Sequence, residues 1–403
     1  MTARSDLVRA LAHVEFTRAT PAAAEGLLPF FADPTVDWQD LARPAASLLL
    51  RDDADERLLH AYLRHCINIS YALEQRFIAL CRDARGKLAA SLAIQHFLNG
   101  QVWPESPRAE LDDEELVRIT IDEPAEERAI AASLRAEEPA DAVTAAVRAQ
   151  YEEHPYPRWL TFHHPVPIEG EPPRRVLVAG CGTGRDVLRL AMAHPRWSID
   201  AIDLSRASLA YAIRKARELG VANVNFRLAD LRFVGGTYDG IIAVGVLHHL
   251  ASIEEGLRAL RRCLAPDGEL LAGLYSRRGR ASLAPLRALA GDVAPDADSL
   301  RAARQRMLAQ LRGDALREVE DLDFFELGHF RDTLFHAHEI ELTPRDLGEV
   351  IARAGFRFAG FEELPADVAR QHGGELDLEV WDAIEQERPE LFRHLFRCRL
   401  RCA

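Results

Sequence analysis

The stretch Val176-Leu-Val-Ala-Gly180-Cys181-Gly182-Thr-Gly184-Arg-Asp186, followed by Ile199-Asp-Ala-Ile-Asp203-Leu204-Ser205, constrains the fold more than any other part of the chain. Residues 176–179 are a short apolar run of the kind a buried parallel strand needs. The glycines then let the backbone turn tightly and approach a ligand at the start of the next helix. Asp203 lies about 20 residues beyond the turn, where such folds place a carboxylate against ribose hydroxyls. Together these features point to a nucleotide-type cofactor. They do not fit the dinucleotide fingerprint G-x-G-x-x-G: its third small residue would be Arg185 counted from Gly180, or Val187 counted from Gly182.

The alternation continues downstream. Helix 185–193, strand 198–202, helix 204–219 closed by Gly220, and strand 224–228 ending at Ala229-Asp230-Leu231 follow in order. Strand 240–245 runs into Val246-Leu247-His248-His249. Helix 253–264 and a turn at Pro266-Asp267-Gly268 then deliver strand 269–275. Such regularity predicts right-handed crossovers and a doubly wound, mostly parallel sheet. Later, 343–355 reads as a capped helix with Pro344 at its first position and Gly355 at its end, followed by strand 356–361, a helix around Trp381 and a closing strand at 392–400.

Upstream, residues 5–98 carry helical periodicity, clearest from Arg57 through Leu73, Phe77 and Leu80, with a break at Asp83-Ala-Arg-Gly86 and a helix over 87–99. An acidic, proline-containing connection follows over 104–139, its run at 111–116 expected as a solvated helix face. The dense cluster Tyr151-Glu-Glu-His154-Pro155-Tyr156-Pro157-Arg158-Trp159 comes next. The expected organisation is therefore a helical domain over 1–140, an aromatic and basic lid or linker over 141–172, and an α/β domain over 173–403 with a helical insertion at about 278–335.

A net charge of -13 repels polyanions and argues against nucleic acid as partner. The six cysteines form no C-x-x-C pair, so neither a structural zinc site nor a disulfide scaffold is expected. No apolar run approaches the roughly 20 residues a membrane span requires, and the first residues lack a secretory core. A cytoplasmic protein is the expectation.

The G-x-G-x-G spacing resembles the loop of class I methyltransferases. Beyond that superfamily, the chain is similar to a bacterial group of class I methyltransferases often accompanied by tetratricopeptide repeats. The likeness rests on Leu92-Ala-Ile-Gln95-His-Phe97-Leu-Asn99, Gln150-Tyr151-Glu-Glu-His-Pro-Tyr156-Pro-Arg158-Trp159, the glycine loop, Val244-Gly-Val-Leu-His248-His249-Leu250, Gly273-Leu-Tyr275-Ser276 and Asp332-Thr-Leu-Phe335-His336, spread over roughly residues 80–400. Two departures stand out: Val178 occupies a position that is often acidic, and no repeat is visible.

The resemblance implies a seven-stranded Rossmann-like sheet and S-adenosylmethionine as cofactor. Gly180, Cys181, Gly182 and Gly184 would approach it by backbone, Asp203 with Leu204 would hold the ribose, Asp230 with Leu231 the adenine, and Val246 would complete its surroundings. Asp203 also reads as the N-cap of the helix that follows, and Asp230 as a turn residue. His248 or His249 could be a general base with a pKa suited to neutral pH, and one of the pair could simply pack. Tyr151, Tyr156 and Arg158 read as a lid over cofactor and acceptor, or as a stiff linker. His336 is a second base or acceptor-orienting group; His336 and His338 would share a face in a strand, but no third ligand is evident, so no metal is expected. His163 and His164 read as a surface pair. The expected reaction is methyl transfer to oxygen or nitrogen of a small molecule or a peptide or protein side chain. The absence of an Asn-Pro-Pro-Tyr motif counts against DNA adenine and protein glutamine. The rivals are a non-catalytic S-adenosylmethionine sensor or scaffold, and an RNA methyltransferase; oligomeric state stays open.

Overall fold

A computed structural model describes residues 20–81, 83–99, 113–135, 139–294, 296–321, 324, 326–372, 377–393 and 395–403. The chain divides into two compact units. One comprises Met1–Arg128, Tyr156–Pro165 and Leu289–Phe335; the other comprises Ala129–Pro155, Val166–Ala288 and His336–Ala403. This division departs from boundaries at 140 and 172. Residues 142–153 belong with the sheet, whereas 156–165 and most of the expected insertion belong with the helical unit.

The sheet unit is an α/β fold around β1 (Arg175–Ala179), β2 (Ser198–Asp203), β3 (Val224–Leu228), β4 (Tyr238–Val244), β5 (Leu264–Ser276), β6 (Glu341–Leu342), β7 (Phe356–Phe361) and β8 (Leu395–Cys402). Their order is β3-β2-β1-β4-β5-β8-β7, with the short β6 also on β5. Strands β1 to β5 pair in parallel, and β8 lies antiparallel between β5 and β7. This is the mostly parallel Rossmann-like arrangement, with β6 as an eighth strand of two residues. The order turns back at β1, so the glycine loop leaves β1 at the switch point where open α/β sheets bind ligands. The expected turn at 266–268 appears as an irregularity inside β5: Tyr238 pairs with Leu264 but Gly240 with Glu269, so residues 265–268 bulge out of register.

Helix Arg185–Ala193 matches its expected span, and helix Arg206–Glu218 starts two residues later than expected because Ser205, not Asp203, is the N-cap, its side chain accepting from the Ser208 N–H. Helix Pro344–Arg353 carries a full capping box between Thr343 and Asp346. One apolar core, including Leu177, Ile241, Leu257, Leu270, Phe361, Trp381 and Phe396, fills this unit.

In the helical unit the periodic stretch after Arg57 is two helices, Glu56–His65 and Tyr71–Cys81. The break falls at Asn68, whose side chain accepts from Tyr62 Oη and the Ser70 N–H and donates to the Ser70 carbonyl, offering the backbone partners a helix would not. The acidic run is also not simply solvated. Asp113 caps helix Glu114–Val117 and binds Arg64 at 2.8 Å and Lys87 at 2.7 Å, while Glu115 takes the other Arg64 nitrogen at 2.9 Å. Residues 100–112, and the side chains of Gln95 to Asn99 in the expected motif, lie outside the description. His163 reaches the Thr35 carbonyl and Asp40 at 2.6 Å, which corrects its reading as a plain surface residue.

Candidate functional site

The carboxyl edge of the sheet is built around the glycine loop. Gly180, Gly182 and Gly184 all have positive φ, at 74°, 53° and 86°. A Cβ on Gly180 would come within 2.7 Å of the Val246 side chain, so the loop is closed against the end of β4 to a distance only glycine permits. The Gly180 and Cys181 N–H groups both donate to the Ile202 carbonyl, at 2.8 and 3.0 Å. One step further, the Gly182 N–H donates to Asp203 Oδ2 at 2.8 Å, and Oδ1 accepts from the Ser205 N–H at 2.9 Å. These donors favour the carboxylate, yet burial prevails and raises the Asp203 pKa. A half-buried carboxylate with an elevated pKa at the switch point is the arrangement a hydroxyl-bearing ligand would satisfy.

Two residues that sequence reasoning passed over position this edge. Glu152 accepts from the Arg206 N–H at 3.0 Å and the Ala207 N–H at 3.3 Å, and so holds the C-terminal end of helix Ala142–Glu153 against the positive N-terminal end of helix Arg206–Glu218. Ser205 Oγ donates to the Tyr151 carbonyl at 2.9 Å. Arg232 was likewise missed. It binds both oxygens of Asp230, and also Asp141 at 2.6 Å and Thr144 Oγ1 at 2.7 Å. Asp230 caps the short helix Leu231–Phe233, so its carboxylate is already occupied by Arg232 and the Arg232 N–H, and Leu231 beside it is buried.

The two paired histidines differ. His248 is fully buried, stacks on Tyr275 at 3.7 Å, and has neither ring nitrogen in a hydrogen bond among the described residues; burial, then the neighbouring imidazoles and Arg280, push its pKa well down. His249 donates from Nδ1 to the His338 carbonyl at 2.9 Å. Since a carbonyl only accepts, the proton is on Nδ1 and the lone pair on Nε2. Burial lowers the His249 pKa to about 3, in contrast to the near-neutral value expected, so its imidazole is uncharged at pH 7.

His336 stacks on His249 at 3.6 Å. The His338 N–H donates to His336 Nδ1 at 3.0 Å, so in the neutral ring Nε2 carries the proton and meets Tyr151 Oη at 3.1 Å. Residues 336–340 are not a strand but a strap. The Ala337 N–H donates to Gln150 Oε1, His338 Nε2 to the Leu250 carbonyl, and the Ile340 N–H to the His248 carbonyl. Behind it, Arg280 sits 3.8 Å from the Tyr275 ring centre and binds Glu339 and Glu341.

Thus Gly180, Cys181, Gly182, Gly184, Asp203, Leu204, Asp230, Leu231, Val246, Tyr151, His248, His249 and His336 all belong to the sheet unit. Tyr156 and Arg158 belong to the helical unit, where the Tyr156 ring lies 5.4 Å from His329 and Arg158 lies close enough to the half-buried Glu326 to stabilise its charge. Trp159 there is buried against Phe162.

Residues 177–270, which carry the glycine loop, Asp203, Asp230 and both paired histidines, match the family model described as a methyltransferase domain. An uncharacterized protein of Synechococcus sp. is 32% identical over 259 residues, 55% of this chain and 61% of that protein. A probable (S)-tetrahydroprotoberberine N-methyltransferase of Papaver bracteatum is 31% identical over 97 residues, 24% of this chain and 27% of that one. The chain thus spans less than two thirds of either relative. Among solved structures, PKMT2 of Rickettsia typhi aligns with a TM-score of 0.45 at 15% identity, over 57% of this chain and 49% of that one.

Proposed function

We propose that this protein is a methyltransferase that uses S-adenosylmethionine and methylates oxygen or nitrogen of a small molecule or of a peptide or protein side chain. The observation that carries the reading is the half-buried Asp203 carboxylate, tied to the Gly182 N–H at the switch point of the sheet, within the stretch that matches a methyltransferase domain. The residues fit the cofactor. Glycine at 180 lets the loop close on Val246 at the end of β4, and Asp203 offers a partly buried acceptor for ribose hydroxyls. Asp230 and Leu231 are assigned to the adenine end, Asp230 with Arg232 attached, and Cys181, Leu204 and Val246 to the walls.

When bound, the cofactor supplies an electrophilic methyl group on a sulfonium. Alignment is the protein's main task; holding reacting atoms in line is worth effective molarities on the order of 10⁵ to 10⁸ M in favourable intramolecular systems. His249 Nε2 accepts the hydrogen bond of the acceptor's O–H or N–H and so fixes its lone pair. As the acceptor gains the methyl group it becomes a far stronger acid, and the neutral imidazole takes its proton despite a low resting pKa. His248 packs behind it on Tyr275, and His336 and Tyr151 orient the acceptor.

Calorimetric titration with S-adenosylmethionine and S-adenosylhomocysteine tests the reading. Binding of both to the wild-type protein, weakened at least tenfold in Asp203→Asn, is the expected result. A folded wild-type protein that binds neither overturns it.

A further inference from the structure

The last strand of the sheet carries a charge pattern that the methyl-transfer chemistry does not use. Phe396, Cys398 and Leu400 of β8 are buried in the core, so Arg397, Arg399 and Arg401 share the opposite face. Arg357 of β7 stands directly opposite Arg401 in register, and Arg401 is opposite Glu269 of β5 on its other side. Like charges facing each other across strands are destabilising. Among the described residues two carboxylates answer the four arginines: Glu269 binds Arg401 at 3.0 Å and Glu363 binds Arg397 at 3.1 Å. Arg357 and Arg399 have no ion-pair partner among the described residues, and Arg399 Nε is buried without a hydrogen bond. The Arg401 and Arg397 side chains keep 47% and 34% of their exposure. On a chain with a net charge of -13, this positive, partly unpaired stripe is out of character.

The stripe also has a direction. Arg401 lies level with the start of β5 at Glu269, and Arg397 level with Gly273, two residues before the Tyr275 on which His248 stacks. Four residues of strand make a track of about 14 Å that leads toward the carboxyl edge.

We infer that this face docks an extended acidic peptide segment, with carboxylates at alternate positions meeting Arg401 together with its neighbour Arg357, then Arg399, then Arg397. The inference builds on the part of the proposed function that admits a peptide or protein acceptor. Two extended chains share the same repeat of roughly 6.8 Å per two residues, so alternate carboxylates stay in step with alternate arginines. Each guanidinium offers a planar fork that matches a carboxylate. Glu269 and Glu363 sit beside the track, where they repel a continuous run of phosphates and leave gaps a spaced set of carboxylates tolerates.

The test is fluorescence anisotropy at low salt with a labelled hexapeptide of alternating glycine and glutamate, a glycine and glutamine control, and a labelled uridine hexanucleotide. Because no cofactor or turnover is involved, failure of the methyltransferase reading would leave the result interpretable. Saturable binding of the glutamate peptide alone, weakened at least tenfold in the Arg357→Gln/Arg399→Gln double variant and about threefold in Arg357→Gln, is the expected result, with circular dichroism confirming that both variants fold. Should the double variant not fold, the exposed Arg357→Gln change carries the test. No preference for the glutamate peptide over its control, equal binding by folded variants, or tighter binding of the uridine oligonucleotide would overturn the inference.

Discussion

In the helical unit buried charge is answered by opposite charge, Arg304 by Glu74 and Arg64 by Asp113 and Glu115, whereas in the sheet unit the imidazoles His248 and His249 are buried uncharged and the ring of His249 is oriented by main-chain groups. A buried ion pair locks two helices together, and its loss leaves an uncompensated charge. A neutral imidazole oriented by a carbonyl keeps a lone pair for something else. The sheet unit holds such pairs too, at Arg232 and Arg280, so what sets it apart is its buried, uncharged imidazoles; on the proposed function the chemistry falls to these, and the Arg304–Glu74 pair serves stability.

The comparison can be broken by substitutions that cross it. Arg304→Met, which strands Glu74, is expected to cost about 3 to 5 kcal/mol in denaturant unfolding while leaving cofactor affinity in the folded protein unchanged. A tenfold loss of affinity there would show the division of labour to be false. Asp203→Ala should weaken S-adenosylmethionine binding about a hundredfold, roughly 2.7 kcal/mol, against less than tenfold for Asp230→Asn, whose carboxylate is already committed to Arg232; calorimetry reads both. Once an acceptor is in hand, His249→Asn should lower kcat by about a hundredfold. His248→Asn should chiefly lower the melting temperature, and a reversed ranking would move the chemistry to His248.

The smallest effects are in pH dependence, and they have opposite signs. Glu326 is raised to about 7 by burial, so between its unfolded value of 4.5 and 7 the folded state holds a proton the unfolded state has lost, and stability falls as pH rises. His249 is lowered to about 3, so between 3 and 6.5 the unfolded state holds the extra proton, and stability rises with pH. Glu326→Gln and His249→Asn should therefore tilt the stability–pH curve in opposite directions, each by on the order of 1 kcal/mol between pH 5 and 6.5. Parallel shifts would show that the two sites share one titration.

Much of the sheet was legible because glycine turns and short apolar runs are local signals. β3 and β7 occupy their expected spans, and Asp203 stands where the spacing put it. The helical unit was less legible, since Asn68 breaks a helix through side-chain bonds that hydrophobic periodicity does not register. In the site, His249 and His336 stood out by type, but their tautomers depend on the backbone of His338, about 90 residues away from His249 in sequence, which no local pattern reports. Arg232 was hidden for a similar reason. Its partners Asp141 and Thr144 precede it by some 90 residues, and an arginine after a turn carries no mark of them.

The place of β8 in the sheet bears on how the protein comes to be made. β5 and β7 leave the ribosome before β8, yet neither pairs with the other; both wait for residues 395–402 to fill the gap between them. Until then each presents an open apolar edge, the kind of surface on which nascent chains aggregate. Closure of this sheet joins β8 to β5 across the whole of the intervening chain, a pairing of high contact order that is slow to form.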